Sequence, residues 1–372
     1  MLKHQMSDNH PKISMERAII GCLLGTAVGD ALGLSFEGLS KKKQARMFPD
    51  IKGYHFFFGK GMVSDDTEHA CMLAQAAIFS AGEPKAFVRK LSWNFRFWLL
   101  GLPAGVGYAT LRSVLKLWLG FSGTRSGVFS AGNGPAMRSP LIGVCYGNDT
   151  AKMRELLRCS TRITHTDPKA EFGALAVALA AGMAARQHQV SAQAYMAELR
   201  KMLAGEDAGE CLELIEKAVS GAEHAESTAS FAESLGLGNG VSGYIYHTVP
   251  VVIHCWLSHQ NDFAAGMKDI IRCGGDTDTT AAILGAIIAS ATGEEGIPQE
   301  WLNNLREWPR TKEWMRNLGK QLAAVCESGL PQSPTSLPFY GIILRNLFFL
   351  LIVFCHILKR GLMSLLIRLF RK

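Results

Sequence analysis

The sequence predicts an all-α protein, and three observations carry the prediction. Alanine, glycine and leucine dominate the 372 residues, with 14 methionines among the rest. Period-two alternation of Val, Ile and Thr is scarce. Two polar clusters, Ser64-Asp65-Asp66-Thr67 and Gly274-Gly275-Asp276-Thr277-Asp278-Thr279-Thr280, each precede a run of small apolar residues that reads as a buried helix. A chain of this length can bury one large core or two modest ones.

In chain order, residues 1–14 form a polar, flexible N-terminus with no apolar core of a secretory signal. Residues 15–327 read as a single helical domain without an internal linker. Its first helix carries Gly21, Gly25, Gly29 and Gly33, a costly stripe that implies close approach of another helix or a ligand. Periodicity then places helices at about 65–80, 84–99, 106–119, 151–159, 168–187, 191–204, 208–224, 244–259, 262–272 and 278–292. The helix at 168 has Asp167 as its cap and Pro168 at its first position. Lys41-Lys42-Lys43 reads as a solvated loop. Residues 120–148 are Gly/Ser-rich, too loose for a helix and long enough to be functional.

Residues 328–338, with three prolines, form a linker to a hydrophobic and basic tail at 339–372. The tail explains the charge. Of the net +7, six cations (Arg345, Lys359, Arg360, Arg368, Arg371 and Lys372) lie after the last acidic residue, Glu327, and seven minus six leaves +1 for the body. No nucleic-acid face is indicated. The uncharged run 346–358 is 13 residues, short of a membrane span unless Arg345 snorkels and extends it back to Leu337. The basic end reads as an interfacial helix on an anionic leaflet; a tail packed on the domain itself or on a partner is the alternative. The body is expected to fold without it. Nine cysteines with no Cys-x-x-Cys spacing read as reduced thiols. The expectation is a cytoplasmic protein, held at the cytoplasmic face of a membrane by residues 339–372.

The acidic clusters carry the chemistry. One capping Asp per helix is ordinary, and Ser64 is a good cap for a helix beginning Asp65-Asp66. Adjacent Asp65-Asp66 and alternate Asp276-x-Asp278 differ, because like charges so close repel unless something neutralises them. Oxygen ligands of this kind suit one or two hard divalent cations. Asp30 and Glu37 follow the glycine stripe. The loop Ser130-Ala131-Gly132-Asn133-Gly134-Pro135-Ala136-Met137-Arg138 offers backbone N–H groups and a cation to a phosphate or carboxylate, or is an ordinary Asn-Gly turn. His165, just outside its helix cap, reads as structural on its own.

Together, Gly25-Thr26-Ala27-Val28-Gly29-Asp30-Ala31-Leu32-Gly33 with Glu37, Ser64 to Thr67, Ser130 to Arg138, Thr164-His165, Gly243-Tyr244 and Gly275 to Thr279 resemble the ADP-ribosylglycohydrolase family over most of residues 16–300. The resemblance implies an orthogonal multi-helix bundle with a binuclear Mg2+ or Mn2+ centre at the bottom of an ADP-ribose cleft. Ser64, Asp65 and Asp66 would bind metal from one side, and Asp276, Asp278 and Thr279 from the other. Glu37, with Asp66 and Asp278, would be catalytic, Glu37 being the mobile acid that approaches the bond. Ser130, Gly132, Asn133, Gly134, Met137 and Arg138 would hold the diphosphate and distal ribose, with His165 lining the cleft.

The implied activity is hydrolysis of the N- or O-glycosidic bond of an ADP-ribosyl group on a protein or small conjugate. Pro103 to Thr110 lacks the Asp of the nitrogenase-linked branch, so it looks more like the branch acting on O-linked ADP-ribose. A binuclear metallohydrolase of another nucleotide bond and a non-catalytic, membrane-tethered ADP-ribose reader are the alternatives.

Overall fold

The computed structural model describes residues 13–56 and 58–369, with side chains through Leu358. Helix α1 (Met15–Gly33) is followed by α2 (Lys41–Met47), α3 (Asp65–Ser80), α4 (Pro84–Leu100) and α5 (Tyr108–Trp118). Two short helices, α6 (Gly134–Arg138) and α7 (Pro140–Tyr146), precede α8 (Thr150–Thr164), α9 (Pro168–Ala184), α10 (Ala192–Met202) and α11 (Gly209–Glu223). The series continues through α12 (Thr228–Ser234), α13 (Ile245–Ser258), α14 (Phe263–Arg272) and α15 (Thr277–Thr292). It closes with α16 (Gln299–Asn304), α17 (Lys312–Ser328) and α18 (Phe339–Leu369). Among the described residues the extended backbone forms only isolated bridges, so the all-α expectation holds.

The glycine stripe of α1 builds the centre. A Cβ at Gly21, Gly25, Gly29 or Gly33 would stand 2.1–2.2 Å from the carbonyl oxygen of Ala289, Gly285, Ala281 or Thr277 respectively. Each step of four forward along α1 is a step of four back along α15, so the two helices run antiparallel with their backbones touching. Only glycine permits that distance. Around the pair, α9 is buried from Ala170 to Ala184 except at its capped start, where the Asp167 carboxylate accepts from Lys169 N at 2.9 Å. These three helices are apolar on nearly every face, as fully buried helices are. Amphipathic helices such as α4, α8, α11 and α17 form the outer layer.

Two expectations are corrected. The segment 120–148 is not uniformly loose: Pro135 and Pro140 stand in the first turn of α6 and α7, where a missing N–H costs nothing. Lys41 to Lys43 open α2 rather than a loop, and Lys41 pairs with Glu233 at 2.5 Å.

Apart from Ser328, which ends α17, the 328–338 segment is non-helical but lies along the body. Gln332 N donates to Ile78 O at 3.1 Å, and Gln75 Nε2 to Thr335 O at 2.8 Å. It delivers α18 onto the domain, where Arg345 is buried in ion pairs instead of snorkelling. The expected flexible N-terminus, up to Pro11 and Lys12, lies outside the described residues, as do the side chains of the basic end, 359–372.

Candidate active site

The α1–α15 seam brings the two acidic clusters together. Thr277 Oγ1 donates to Gly33 O at 2.8 Å, fixing the start of α15 beside the end of α1. Asp30, fully buried one turn earlier, accepts from Ser64 N at 2.9 and 3.0 Å, Thr67 N at 3.2 Å and Thr67 Oγ1 at 2.5 Å. It thereby satisfies backbone donors at the start of α3 that the helix itself leaves open. The clusters meet on Asp66: its Oδ2 accepts from Ser64 Oγ at 3.1 Å and from Thr279 Oγ1 at 3.2 Å, although Thr279 is 213 positions away.

Glycine again permits the closure. Gly275 has φ +83°, and a Cβ there would fall 2.0 Å from Val241 O. Gly38 N donates to Gly275 O at 2.8 Å, and Gly275 N donates to Leu39 O at 3.0 Å. Glu37, exposed on the cleft, is therefore tied through its neighbours to the turn that carries Asp276.

The phosphate-type loop closes the next side. Asn133 Nδ2 donates to Asp276 Oδ2 at 2.7 Å and Thr248 Oγ1 at 3.0 Å, and its backbone N–H donates to Gly243 O at 2.9 Å. Gly132 and Gly134 lie against the His165 ring, where added Cβ atoms would sit 3.0 and 3.2 Å from it. His165 is buried, its Nδ1 2.9 Å from Thr164 Oγ1, and burial with the nearby Arg138 charge pushes its pKa down to about 3. It faces the cleft as a neutral imidazole.

A cleft of about 570 Å³ results. Glu37, Ser64, Asp65, Asp276, Asp278 and Thr279 line it, as do Ser130, Gly132, Asn133, Gly134, Met137 and His165. Asp66 lies just beneath, buried. Arg138 is the exception among the expected residues. It is fully buried, donating to Gly134 O at 2.9 Å, Ser160 O at 2.9 Å and Thr164 Oγ1 at 2.7 Å. Its position on α6 turns it toward α8, so it braces the loop from behind and does not reach the cleft.

The carboxylates are poorly compensated within the chain. Burial first, then neighbouring carboxylates, hold Asp65, Asp66 and Asp278 well above the usual range. Asp30 is pushed up to about 7 by burial, partly offset by its hydrogen bonds. Asp66 Oδ1 and Asp278 Oδ1 are buried with no hydrogen-bond partner. A divalent cation reverses this balance for each carboxylate it touches, so the donor set fits one. No three His, Cys, Asp or Glu side chains among the described residues converge tightly enough to hold an ion alone. Any cation held here would need the hydroxyls of Ser64 and Thr279 and water to share the ligation, as is usual for hard cations.

Other lining residues escaped sequence reasoning. Ala104 to Arg112 form a further wall, where Gly105, at φ +76°, sits with its Cβ position 3.3 Å from Asp65 Oδ1. Arg112 supplies a cation on the cleft, and Tyr108 and Phe129 are exposed aromatic rings at it. Phe349 and Val353 of α18 also line it. The 103–110 stretch stands out in sequence only for its missing Asp, and Phe129 only as part of a long loop; nothing local marks Arg112, Phe349 or Val353.

Comparison with known proteins gives the family and the fold. The family model described as ADP-ribosylglycohydrolase matches residues 11–331. An uncharacterized protein of Archaeoglobus fulgidus is 30% identical over 83% of this chain and 96% of its own. The ADP-ribosyl-[dinitrogen reductase] glycohydrolase of Rhodospirillum rubrum is 26% identical, over 78% of this chain and 91% of its own length. The ADP-ribosylhydrolase ARH3 of Gallus gallus is 25% identical over 80% and 91%. A solved structure titled ADP-ribosylglycohydrolase-related protein complex superposes with TM-score 0.62 and 26% identity, over 84% of this chain and 99% of that one. The chain therefore belongs to the ADP-ribosylglycohydrolase family, hydrolases of ADP-ribosyl glycosidic bonds.

Proposed function

We propose that the cleft hydrolyses the N- or O-glycosidic bond between the anomeric carbon of an ADP-ribosyl group and a protein side chain or small acceptor. The observation that carries this reading is the junction at Asp66, where two clusters 213 positions apart share one carboxylate while Asp66 Oδ1 and Asp278 Oδ1 remain unpartnered. Ser64, Asp65, Asp66, Asp276, Asp278 and Thr279 would hold two divalent cations, Mg2+ or Mn2+. Bound there, they supply Lewis-acid activation of a water and of ribose hydroxyls.

The chain's own groups divide the remaining work. Glu37, exposed beside the clusters, moves the proton at the bond being broken. The loop from Ser130 to Gly134 and the Arg112 guanidinium receive the diphosphate. Tyr108 and Phe129 offer faces on which a base can stack. His165, neutral, closes the cleft without adding charge. Asn133 holds Asp276 in place through its hydrogen bond. The compartment belongs to the same reading: nine unpaired cysteines suit a reducing cytoplasm, and the apolar outer face of α18 with its cationic end suits an anionic membrane surface.

The test is a panel of Arg-, Ser- and O-acetyl-linked ADP-ribose substrates read by mass spectrometry. Free ADP-ribose should appear with Mg2+ or Mn2+ and vanish in excess chelator. Full activity in chelator would remove the cations from the reading. Release of AMP or phosphate would replace it with another nucleotide hydrolase, and binding without turnover on every linkage would replace it with a reader.

A further inference from the structure

The tail helix α18 lies wholly beyond the family match at 11–331, yet it contributes side chains to the cleft. We propose that α18 is a wall of the active site that selects the acceptor attached to the ADP-ribosyl group. The selective role rests on the hydrolase reading; the docking of the helix does not.

The docking is specific. Arg345 and Asn346 are adjacent polar residues in a largely apolar stretch, and both are buried. Arg345 donates to Glu307 Oε2 at 2.7 Å and to Val63 O at 2.5 Å, and lies 3.8 Å from Glu68. Val63 N donates to the same Glu307 oxygen at 3.1 Å. The Arg345–Glu307 pair therefore brackets the backbone N–H and C=O of Val63, the residue immediately before Ser64 at the head of the acidic cluster. Asn346 Nδ2 donates to Gly101 O at 2.7 Å, close to the Gly105 wall. Buried polar groups demand partners, and a helix committed to lipid alone would not find these on the domain.

The apolar contacts continue from that anchor. Phe349 and Val353, one turn apart, pack with Leu34 and Ala104, and the Phe349 ring lies 5.4 Å from that of Phe56. Leu34 leads directly into Glu37. The tail thus closes the end of the cleft near Glu37 and Ala104, whereas the Ser130–Gly134 loop packs on His165. With the loop taking the diphosphate, the acceptor falls to the tail's end. A wall of Phe and Val there favours an acceptor that is compact or apolar beside the linkage and disfavours charged peptide flanks.

The test uses the full chain with Phe349→Ala. It compares kcat and KM for a compact O-linked ADP-ribose ester and for an ADP-ribosylated acidic peptide, with the affinity for free ADP-ribose as reference. The preference for the ester should fall on the order of tenfold, chiefly through KM, while free ADP-ribose binds within about twofold of wild type. An unchanged preference overturns the selective role. Docking is read separately by hydrogen exchange in Arg345→Met, with Asn346→Ala as the second variant should the first fail to fold. Amides at 61–68 and 99–107 should exchange faster than in wild type, and identical exchange overturns the wall. Faster exchange in a protein that hydrolyses none of the conjugates would instead leave the wall standing and sink the hydrolase reading.

Discussion

Helices α1 and α18 are both apolar and long enough to cross a membrane, yet the most apolar 18-residue window within Met15–Phe36 is wholly buried while that within Phe339–Leu358 is only 33% buried. Their seams are built differently. Helix α1 touches α15 backbone to backbone along four glycines. Helix α18 touches the domain through one ion-paired arginine, one asparagine, the His356 ring (Nε2 3.4 Å from Ser35 O) and a short apolar row. The α18 seam also leaves Arg345 Nε and Glu307 Oε1 buried without hydrogen bonds. Hydropathy does not separate the two cases. The spacing of small residues does, because a glycine ladder is useful only against another protein backbone, whereas a helix of Leu and Phe can be covered by many things.

The largest effect should come from breaking the ladder. In Gly29→Ala the new Cβ would stand 2.1 Å from Ala281 O, so the helices must separate. Overpacking against backbone should cost about 3 kcal/mol, read as a lower urea midpoint for the whole domain. Because α15 carries Asp276 and Asp278, turnover should fall with it even where the protein is still folded. A variant as stable and active as wild type would mean that the ladder is not the closure that joins the clusters.

Asn346→Ala tests the other seam and should do less. Losing the hydrogen bond to Gly101 O costs about 1 kcal/mol. The loss should appear as local opening of α18 in hydrogen exchange, with the urea midpoint of the body unmoved. A drop in the global midpoint instead would make α18 part of one cooperative unit with α1 and α15, and the contrast between the two seams would disappear.

What could be read in the sequence divides along the same line. The glycine stripe, the cap at Asp167 and the acidic clusters are repeated or adjacent signals, so a window of a few residues contains them. Asp30 was visible as a carboxylate, but its role in holding the start of α3 depends on Ser64, 34 positions on. Arg138 was misplaced because its neighbours in sequence face the cleft, while its place on α6 turns it inward to Ser160 and Thr164. The amphipathic α17 went unassigned, its apolar positions diluted by Lys, Arg, Glu and Gln. Arg345 is the clearest limit. In sequence it reads as a residue that could snorkel, and its 2.7 Å contact with Glu307, 38 positions before it, lies beyond any local window.

The smallest effect belongs to the outer face of α18. Tyr340, Leu344, Leu347, Leu351, Phe354 and Leu358 recur at alternating steps of four and three, and each is 49–70% exposed. That is one continuous stripe opposite the docked row of Arg345, Phe349, Ile352 and His356. Because Leu351 is 58% exposed, Leu351→Ser should change folding stability by no more than about 0.5 kcal/mol. If the stripe meets lipid, the same change removes about 1 kcal/mol of apolar transfer, roughly a fivefold loss of affinity for phosphatidylserine-containing vesicles in a flotation assay. Salt should weaken the binding that remains, since the cations that follow would then supply it. Wild-type protein that ignores both neutral and anionic vesicles would leave α18 as a wall of the cleft alone, and the exposed stripe would need a protein partner.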